Sequence, residues 1–232
     1  MQTFLFIHGA WHGAWCWDLV REQLTKQGYE SVAIELPGDQ PGRGIGDDAA
    51  IAFEALEQIS GQVIVVGHSL AGLVAPFIAT HPAVQGLVMV AALFPEFDVS
   101  AAQQRERNPQ IYTERYQQAE IIRHVDGSTE VEPDEAIALM FNTCSPEIAR
   151  WAARQLRRQY WECFVEPSPL WEWPQVPTLV IGCSRDELTN PGPMREATER
   201  IPDARYVELE CDHSPMLSQV KSFADLLIHF AE

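Results

Sequence analysis

One short stretch of the chain places a serine where a nucleophile could act. Four β-prone residues run into a tight turn at Gly67, Ser69 stands at its apex, and a helix-like segment follows over residues 70–80. This order is typical of a nucleophile elbow, a sharp turn that holds a serine hydroxyl at the end of a sheet. Small residues fit the crowded turn, and Ala71 stands where a second glycine is usual. The pattern predicts Ser69 as a nucleophile for acyl transfer.

Two later strand ends carry a base and an acid that could activate this serine. A predicted strand over 177–182 ends just before Asp186, and another over 205–209 ends just before His213. Because the strands of an open α/β sheet place their functional groups at one edge, we expect these side chains to meet Ser69 there. His213 can then take the proton from Ser69, and Asp186 can hold the imidazole in the required tautomer.

Two other acids are alternatives for the orienting carboxylate. Glu187 adjoins Asp186 and is the closer rival. Asp212 adjoins His213, and neighbouring residues on an extended turn seldom face each other, which makes it the weaker rival.

Acyl transfer also needs an oxyanion hole, that is, donors that stabilise the charge on the attacked carbonyl oxygen. One donor is expected to be the backbone N–H of Leu70, directly after the nucleophile, and the other the N–H of Ala10 in the loop after the strand at 2–7. His8 and His12 are expected to brace that loop. Their i, i+4 spacing could also suit a metal, but no carboxylate stands at ligand spacing, so we expect no metal and no cofactor.

Four motifs spread along the chain carry a family resemblance. They are FIHGAWHGAWCW (6–17), GHSLAG (67–72), FNTCSPE (141–147) and DHSPMLS (212–218). Together they resemble the α/β-hydrolase superfamily, and more narrowly the plant methylesterase and hydroxynitrile lyase group with its bacterial esterase relatives. The resemblance implies Ser69, Asp186 and His213 as the triad, with the Ala10 and Leu70 amides as the oxyanion hole.

The resemblance also separates hydrolysis from lyase chemistry. The lyases of this group carry a threonine after the first histidine of the early loop and a lysine directly after the catalytic histidine. This chain has Gly9 and Ser214 there, which favours a serine hydrolase that cleaves small carboxylic esters through an acyl-enzyme intermediate. A hydroxynitrile lyase, or a small-molecule receptor on the same fold, are the alternatives, and thioester or lactone hydrolysis would use the same residues.

Composition narrows the class of partner. The chain has 232 residues, enough for one domain, and 33 acidic against 16 basic residues give a net charge of −17. This charge disfavours nucleic acid and anionic membranes as partners. The five cysteines are scattered and no apolar run approaches a membrane span, so we expect reduced thiols in a cytoplasmic protein. Whether it forms a homodimer stays open.

Alternating patterns predict an α/β fold, a mainly parallel sheet flanked by helices. Further strands are expected over 31–36, 62–67 and 86–91, and a helix over 47–59 with Asp47 or Asp48 as its N-cap. Helices are also expected near 17–27, over 193–200 and at the C-terminus.

The alternation of predicted strands and helices does not continue over residues 95–174, which are rich in helix signals and aromatic side chains. We expect a helical cap there, inserted before the last strands into a core formed by 1–94 and 175–232, because long connections at this edge often cover the site. The arginines 150, 154, 157 and 158 are expected to form one solvated helix face. An aromatic cap predicts an apolar or aromatic substrate. The expected substrate-binding residues are Trp11, His12, Phe94 and Trp161.

Overall fold

A six-stranded parallel sheet forms the centre of the computed structural model, which describes residues 2–232. The strands are β1 (Gln2–Ile7), β2 (Glu30–Ile34), β3 (Gln62–His68), β4 (Val84–Val90), β7 (Thr178–Cys183) and β8 (Ala204–Leu209), with β5 (Ile121–Arg123) and β6 (Thr129–Val131) outside this sheet. The strand order is β2-β1-β3-β4-β7-β8, and every neighbouring pair is parallel. All six carboxyl ends therefore lie at one edge, which confirms the predicted sheet.

Helices cover both faces of the sheet. The helices are α1 (Asp18–Lys26), α2 (Ile45–Gln58), α3 (Ala75–Ile78), α4 (Ala101–Arg107), α5 (Glu114–Gln117), α6 (Pro133–Met140), α7 (Pro146–Gln155), α8 (Glu162–Val165), α9 (Pro191–Thr198), α10 (Pro215–Ser218) and α11 (Val220–Ala231). Since crossovers between parallel strands are right-handed, α1 lies on one face and α2, α3 and α9 on the other. The C-terminal helix α11 packs against α1. Among residues 2–232, no helix is long and apolar enough to cross a membrane.

Aromatic packing ties the sheet to the edge that carries the nucleophile. The rings of Phe6 and Trp17 stack with centroids 4.7 Å apart, and Trp17 also stacks on Phe223 of α11. The Trp17 ring meets His68, next to Ser69, edge to face at 6.1 Å. Burial of such large side chains contributes much of a core's stability, so the turn after β3 rests on a rigid base.

The helix predicted over 70–80 is two short pieces, so that prediction is wrong in form. A 3-10 turn spans Ser69–Leu73, and α3 begins at Ala75. Pro76 has no N–H to donate to the carbonyl four residues earlier, which interrupts a continuous α-helix. Close packing adds a second constraint, because a Cβ on Gly72 would lie 2.1 Å from the carbonyl oxygen of Leu93.

The start of α2 also differs from the prediction. The N-cap is Gly44 rather than Asp47 or Asp48, and the helix begins at Ile45. Asp47 is the third residue of the helix, and its carboxylate accepts a hydrogen bond of 3.1 Å from the N–H of the N-cap residue Gly44. The predicted acid therefore does satisfy a free backbone donor of the first turn, but from inside the helix.

The segment between β4 and β7, residues 91–177, is called the insertion below. It contains α4–α8 and the antiparallel hairpin of β5 and β6, which the sequence pattern did not predict. Because α7 ends at Gln155, Arg157 does not share its face, contrary to expectation. Instead the Arg157 guanidinium donates to the carbonyl oxygens of His12 and Leu36, at 2.9 and 3.2 Å, and ties the insertion to the early loop.

Candidate active site

Ser69 lies in a strained turn at the end of β3. Its φ is 52°, a left-handed conformation that residues with a side chain rarely adopt. The turn is tight because β3 and the following helix approach closely, and a Cβ on Gly67 would lie 2.6 Å from that of Ala75. Small residues therefore stand where the strand and the following helix are in contact. The strained backbone holds the Ser69 side chain at the sheet edge.

The structure brings Ser69, His213 and Asp186 together, as the strand ends predicted. His213 Nε2 lies 2.8 Å from Ser69 Oγ, and His213 Nδ1 lies 2.7 Å from Asp186 Oδ2. A carboxylate can only accept, so Nδ1 carries the proton and Nε2 is free to accept from the serine hydroxyl. The side chains of His213 and Asp186 are each only 1% exposed, so water does not compete for this contact.

Asp186 is held in place by the loop that follows it. Its Oδ1 accepts hydrogen bonds from the N–H groups of Leu188 and Thr189, at 2.7 and 2.9 Å. The Thr189 hydroxyl donates to Oδ2 at 2.6 Å. Sequence reasoning missed Thr189, although an aspartate followed three residues later by a threonine is a local signal for such a turn.

His213 Nδ1 pairs with Asp186 rather than with either rival acid. Glu187 is partly exposed, and its backbone carbonyl accepts a hydrogen bond from the Thr113 hydroxyl of the insertion. The Asp212 carboxylate is fully buried but accepts from the N–H of Ser214, the hydroxyl of Ser218 and the N–H of Thr143. Asp186 is the acid that contacts the imidazole.

Asp212 instead joins the histidine loop to the insertion. Its carboxylate accepts from the Thr143 N–H at 2.9 Å, and its own N–H donates to the Thr143 hydroxyl at 3.1 Å. This reciprocal pair brings residues 141–147 and 212–218, two segments of the sequence pattern described above, into contact.

The two predicted oxyanion donors belong to peptides whose carbonyl ends are anchored. The Gly9 carbonyl accepts from His8 Nδ1 at 2.9 Å, and the Ser69 carbonyl accepts from the Leu93 N–H at 3.0 Å. In a trans peptide the N–H points opposite to the C=O, so the anchors aim the N–H groups of Ala10 and Leu70 away from them. Ala10, Leu70 and Ser69 all line one small cavity, called the serine cavity below.

Two further histidines support these loops without adding charge. His12 Nδ1 donates to the Ala10 carbonyl at 2.8 Å, and His68 Nε2 donates to the His213 carbonyl at 2.9 Å. Burial lowers the pKa of His12 to about 3, against the opposing effect of its hydrogen bond. Burial also lowers the pKa of His68 well below its usual range. Both rings are therefore neutral at ordinary pH, and each fixes a backbone carbonyl beside the site.

The four expected substrate-binding residues do not share one space. Trp11 and Trp161 line the serine cavity, and both indole N–H groups donate to the Thr129 hydroxyl, at 3.1 and 2.8 Å. Phe94 lines a different, larger cavity. His12 lies outside both linings, packed against the ring of Phe141. Much of the serine cavity is completed by residues that were not predicted to bind substrate, namely Leu188 and two aromatic residues of the expected cap, Tyr112 and Tyr116.

The early histidines bind backbone groups of their own and neighbouring loops, and His8 Nε2 also lies 3.2 Å from a Glu35 carboxylate oxygen. Besides its bond to Gly9, His8 accepts from the Leu36 N–H through Nε2 at 3.0 Å. Within residues 2–232, no group of three or more His, Cys, Asp or Glu side chains has the arrangement of a metal site.

Comparisons with known proteins agree with this architecture. The family model described as the alpha/beta hydrolase family matches residues 4–226. Methylesterase 7 of Arabidopsis thaliana is 26% identical, over 100% of this chain and 96% of that protein. The pyrethroid hydrolase of Sphingobium wenxiniae is 26% identical, over 100% of this chain and 88% of that protein. The crystal structure of polyneuridine aldehyde esterase, 21% identical, superposes with a TM-score of 0.84 over 100% of both chains.

Proposed function

This chain belongs to the alpha/beta hydrolase family and is a hydrolase of the esterase type, and from that premise we propose that it cleaves small carboxylic esters with Ser69 as nucleophile. The observation that carries the proposal is the continuous hydrogen-bonded chain from Ser69 through His213 to Asp186. Those contacts give a hydroxyl, a base and an orienting carboxylate in the order that acyl transfer requires.

The reaction proceeds in two halves. Ser69 Oγ attacks the ester carbonyl while its proton passes to His213 Nε2, and the imidazolium then gives that proton to the departing alcohol. The acyl group stays on Ser69. In the second half, His213 removes a proton from water as the water attacks the acyl-enzyme, and the imidazolium then gives that proton to Ser69 Oγ as the bond to the acyl group breaks, which releases the carboxylic acid and the free serine. Asp186 stabilises the imidazolium in both halves.

The oxyanion formed in each half is stabilised by the N–H groups of Ala10 and Leu70. Preorganised donors of this kind act strongly because they need no reorientation when the charge develops. His8 and the Leu93 N–H supply that preorganisation, since they hold the Gly9 and Ser69 carbonyls at the far ends of the two peptides. His8 is therefore a positioning residue: it does not contact the substrate, and it acts by orienting the peptide whose N–H stabilises the oxyanion.

The substrate is a small ester with an apolar or aromatic part. Support comes from the aromatic walls of the serine cavity, where Trp11 and Trp161 meet edge to face at 5.3 Å. Their N–H groups are already engaged by Thr129, so the indoles present mostly apolar surface. Related proteins named methylesterase and pyrethroid hydrolase are consistent with esters whose acid or alcohol part is apolar.

The test compares p-nitrophenyl acetate hydrolysis by the wild type and by Ser69→Ala, with Ser184→Ala as the matched control. Ser184 is exposed and lies in the loop after β7. We expect Ser69→Ala to lower kcat by at least about 1000-fold, as loss of a serine nucleophile does, and Ser184→Ala to have no effect. The same proteins are assayed with mandelonitrile. Nitrile cleavage without ester cleavage would favour a lyase, and full ester turnover by Ser69→Ala would place the nucleophile elsewhere.

A further inference from the structure

The cavity that Ser69 lines is small. The serine cavity has a volume of about 20 Å³. This is room for roughly one water molecule. The bulky group of an ester with an aromatic ring therefore extends beyond this volume when the ester carbonyl lies at Ser69.

Such a volume lies directly beside the serine cavity. It measures about 420 Å³ and is called the lateral cavity below. This size falls within the range of small-molecule sites, roughly 300–1,000 Å³. Leu93, Tyr112 and Thr189 line both cavities, so one layer of residues separates them.

A short backbone pairing forms part of that separating layer. Residues 111–113 of the insertion run antiparallel to residues 188–190 of the loop after β7. The Thr113 N–H donates to the Leu188 carbonyl at 3.1 Å, the Asn190 N–H donates to the Ile111 carbonyl at 2.9 Å, and the Thr113 hydroxyl donates to the Glu187 carbonyl. Of the shared wall residues, Leu93 and Thr189 hold Ser69 and Asp186 in place, whereas Tyr112 of the insertion holds neither, so the Tyr112 side of the layer is where a substrate can span both cavities.

The lateral cavity has the chemistry of an apolar binding site. The rings of Phe94 and Trp173 stack in its wall, 5.9 Å apart and within 10° of parallel. The buried amide of Gln104, in the orientation that satisfies both of its ends, donates to the Phe94 carbonyl and accepts from the Glu96 N–H. It is therefore satisfied by the protein itself. The charged residues Glu96, Glu196 and Arg200 are exposed, as expected for a rim.

We propose that the lateral cavity is a substrate subsite, which binds the larger, uncharged aromatic or branched group attached to the scissile ester while the carbonyl reaches Ser69. This inference rests on the proposed esterase function. It is carried by the shared residues of the two cavities and by the small volume next to the nucleophile. It assigns selectivity for bulky esters to a wall formed by α4 and α9, away from the triad.

The experiment fills the lateral cavity from α9 and follows substrate preference. Ala197 lines the cavity, whereas Glu199, two residues later, is exposed and outside it. Ala197→Trp and Glu199→Trp are compared with the wild type on methyl acetate, methyl 3-phenylpropanoate and benzyl acetate in a pH-stat. Ala197→Trp should lower kcat/KM for at least one of the two phenyl-containing esters, relative to methyl acetate, by about tenfold or more, since pocket shape discriminates substrates to this degree. Glu199→Trp should leave that ratio within about twofold of wild type, as expected for a surface position.

The outcomes are separable from the test of the proposed function. The subsite assignment is wrong, and the esterase function stands, if the wild type hydrolyses the two phenyl-containing esters through Ser69 but Ala197→Trp leaves their kcat/KM relative to methyl acetate unchanged. If the wild type hydrolyses none of these esters, the proposed esterase function is wrong, and the subsite assignment that rests on it is wrong as well. Circular dichroism checks folding, and Ala101→Leu, which fills the cavity from the α4 side, replaces Ala197→Trp if that variant does not fold.

Discussion

The carboxyl edge of the sheet and the insertion (residues 91–177) contribute to the site in different ways. The edge supplies Ser69, Asp186 and His213, each within four residues of the end of a parallel strand and each held by hydrogen bonds. The insertion supplies walls such as Tyr112 and Trp161. It is built from short helices and one small hairpin rather than from a continuous sheet.

The difference follows from how each region is anchored. The strands at the edge are fixed by a parallel ladder over their whole length, so a loop that leaves them starts from a defined point. The insertion contacts the edge through separate hydrogen bonds and ion pairs rather than through a continuous ladder, among them Thr143 with Asp212, Arg157 with the His12 carbonyl and Leu93 with the Ser69 carbonyl. Substitutions at the edge should therefore change kcat, whereas substitutions in or against the insertion should change substrate preference and stability.

Among substitutions at the edge and in the insertion, we expect the largest loss of kcat at Asp186. Asp186→Asn keeps an oxygen for the N–H groups of Leu188 and Thr189 but presents an NH2 to His213 Nδ1, which favours the wrong imidazole tautomer. We expect kcat to fall by about 10⁴-fold, as in other triads. Steady-state kinetics on p-nitrophenyl acetate measures it. Glu187→Gln is the matched control, and a larger loss in that variant than in Asp186→Asn would make Glu187 the orienting acid.

A smaller effect, still at the edge, is expected at His8. His8→Ala frees the Gly9 carbonyl, so the Ala10 N–H loses its fixed direction. We expect kcat to fall by about 10- to 100-fold, less than the loss of an oxyanion donor itself, with KM changed only a few-fold. Active sites are counted with a fluorophosphonate label. An unchanged kcat per labelled site, with fewer sites, would show that His8 only stabilises the fold.

The smallest effect concerns stability where the core helix α2 meets the insertion. Burial raises the pKa of Asp48 to about 7, and the nearby carboxylates of Asp47 and Glu166 act in the same direction. Glu166 comes from the insertion, where it accepts a hydrogen bond of 2.8 Å from the Ile45 N–H. Between about pH 4 and pH 7, Asp48 therefore holds a proton in the folded protein but not in the unfolded chain. The contribution of Asp48 to the free energy of unfolding falls as the pH rises through this range.

Asp48→Asn removes that loss. We expect the Tm difference between variant and wild type to increase from pH 4 to pH 7 and to level off above it, with the variant a few degrees more stable at pH 8, since about 1 kcal/mol corresponds to about 2–4 °C in a chain of this size. Calorimetry at several pH values measures it. A constant Tm difference across this range would mean that Asp48 titrates normally in the fold.

Much of the fold was predictable because its signals are local. Runs such as residues 63–66 predicted buried strands, and their alternation with helices predicted the parallel sheet, which the structure confirms. The family resemblance is confirmed as well. The errors lie where a nearby proline or a tight approach outweighs helix propensity, as at Pro76 and Gly72, and where a glycine rather than an acid begins a helix, as at Gly44.

The proximity of the candidate site residues was predictable to the same extent, whereas their catalytic roles stay a prediction. The positions of Ser69, Asp186 and His213 follow from strand ends, and the structure places the three within hydrogen-bonding distance. Their supports were not predictable. Leu93 reaches the Ser69 carbonyl, and Thr143 reaches Asp212, across long separations in sequence that no local pattern encodes.

The amino-acid sequence by itself determined the order of the strands and turns, the residue types at each strand end and therefore the class of chemistry. Only the tertiary structure decided which acid faces His213, which carbonyls are anchored and how the space near Ser69 is divided. The physical reason is that strand and turn preferences act between neighbouring residues, whereas burial, hydrogen-bond pairing and cavity shape depend on groups that meet only after the chain has folded.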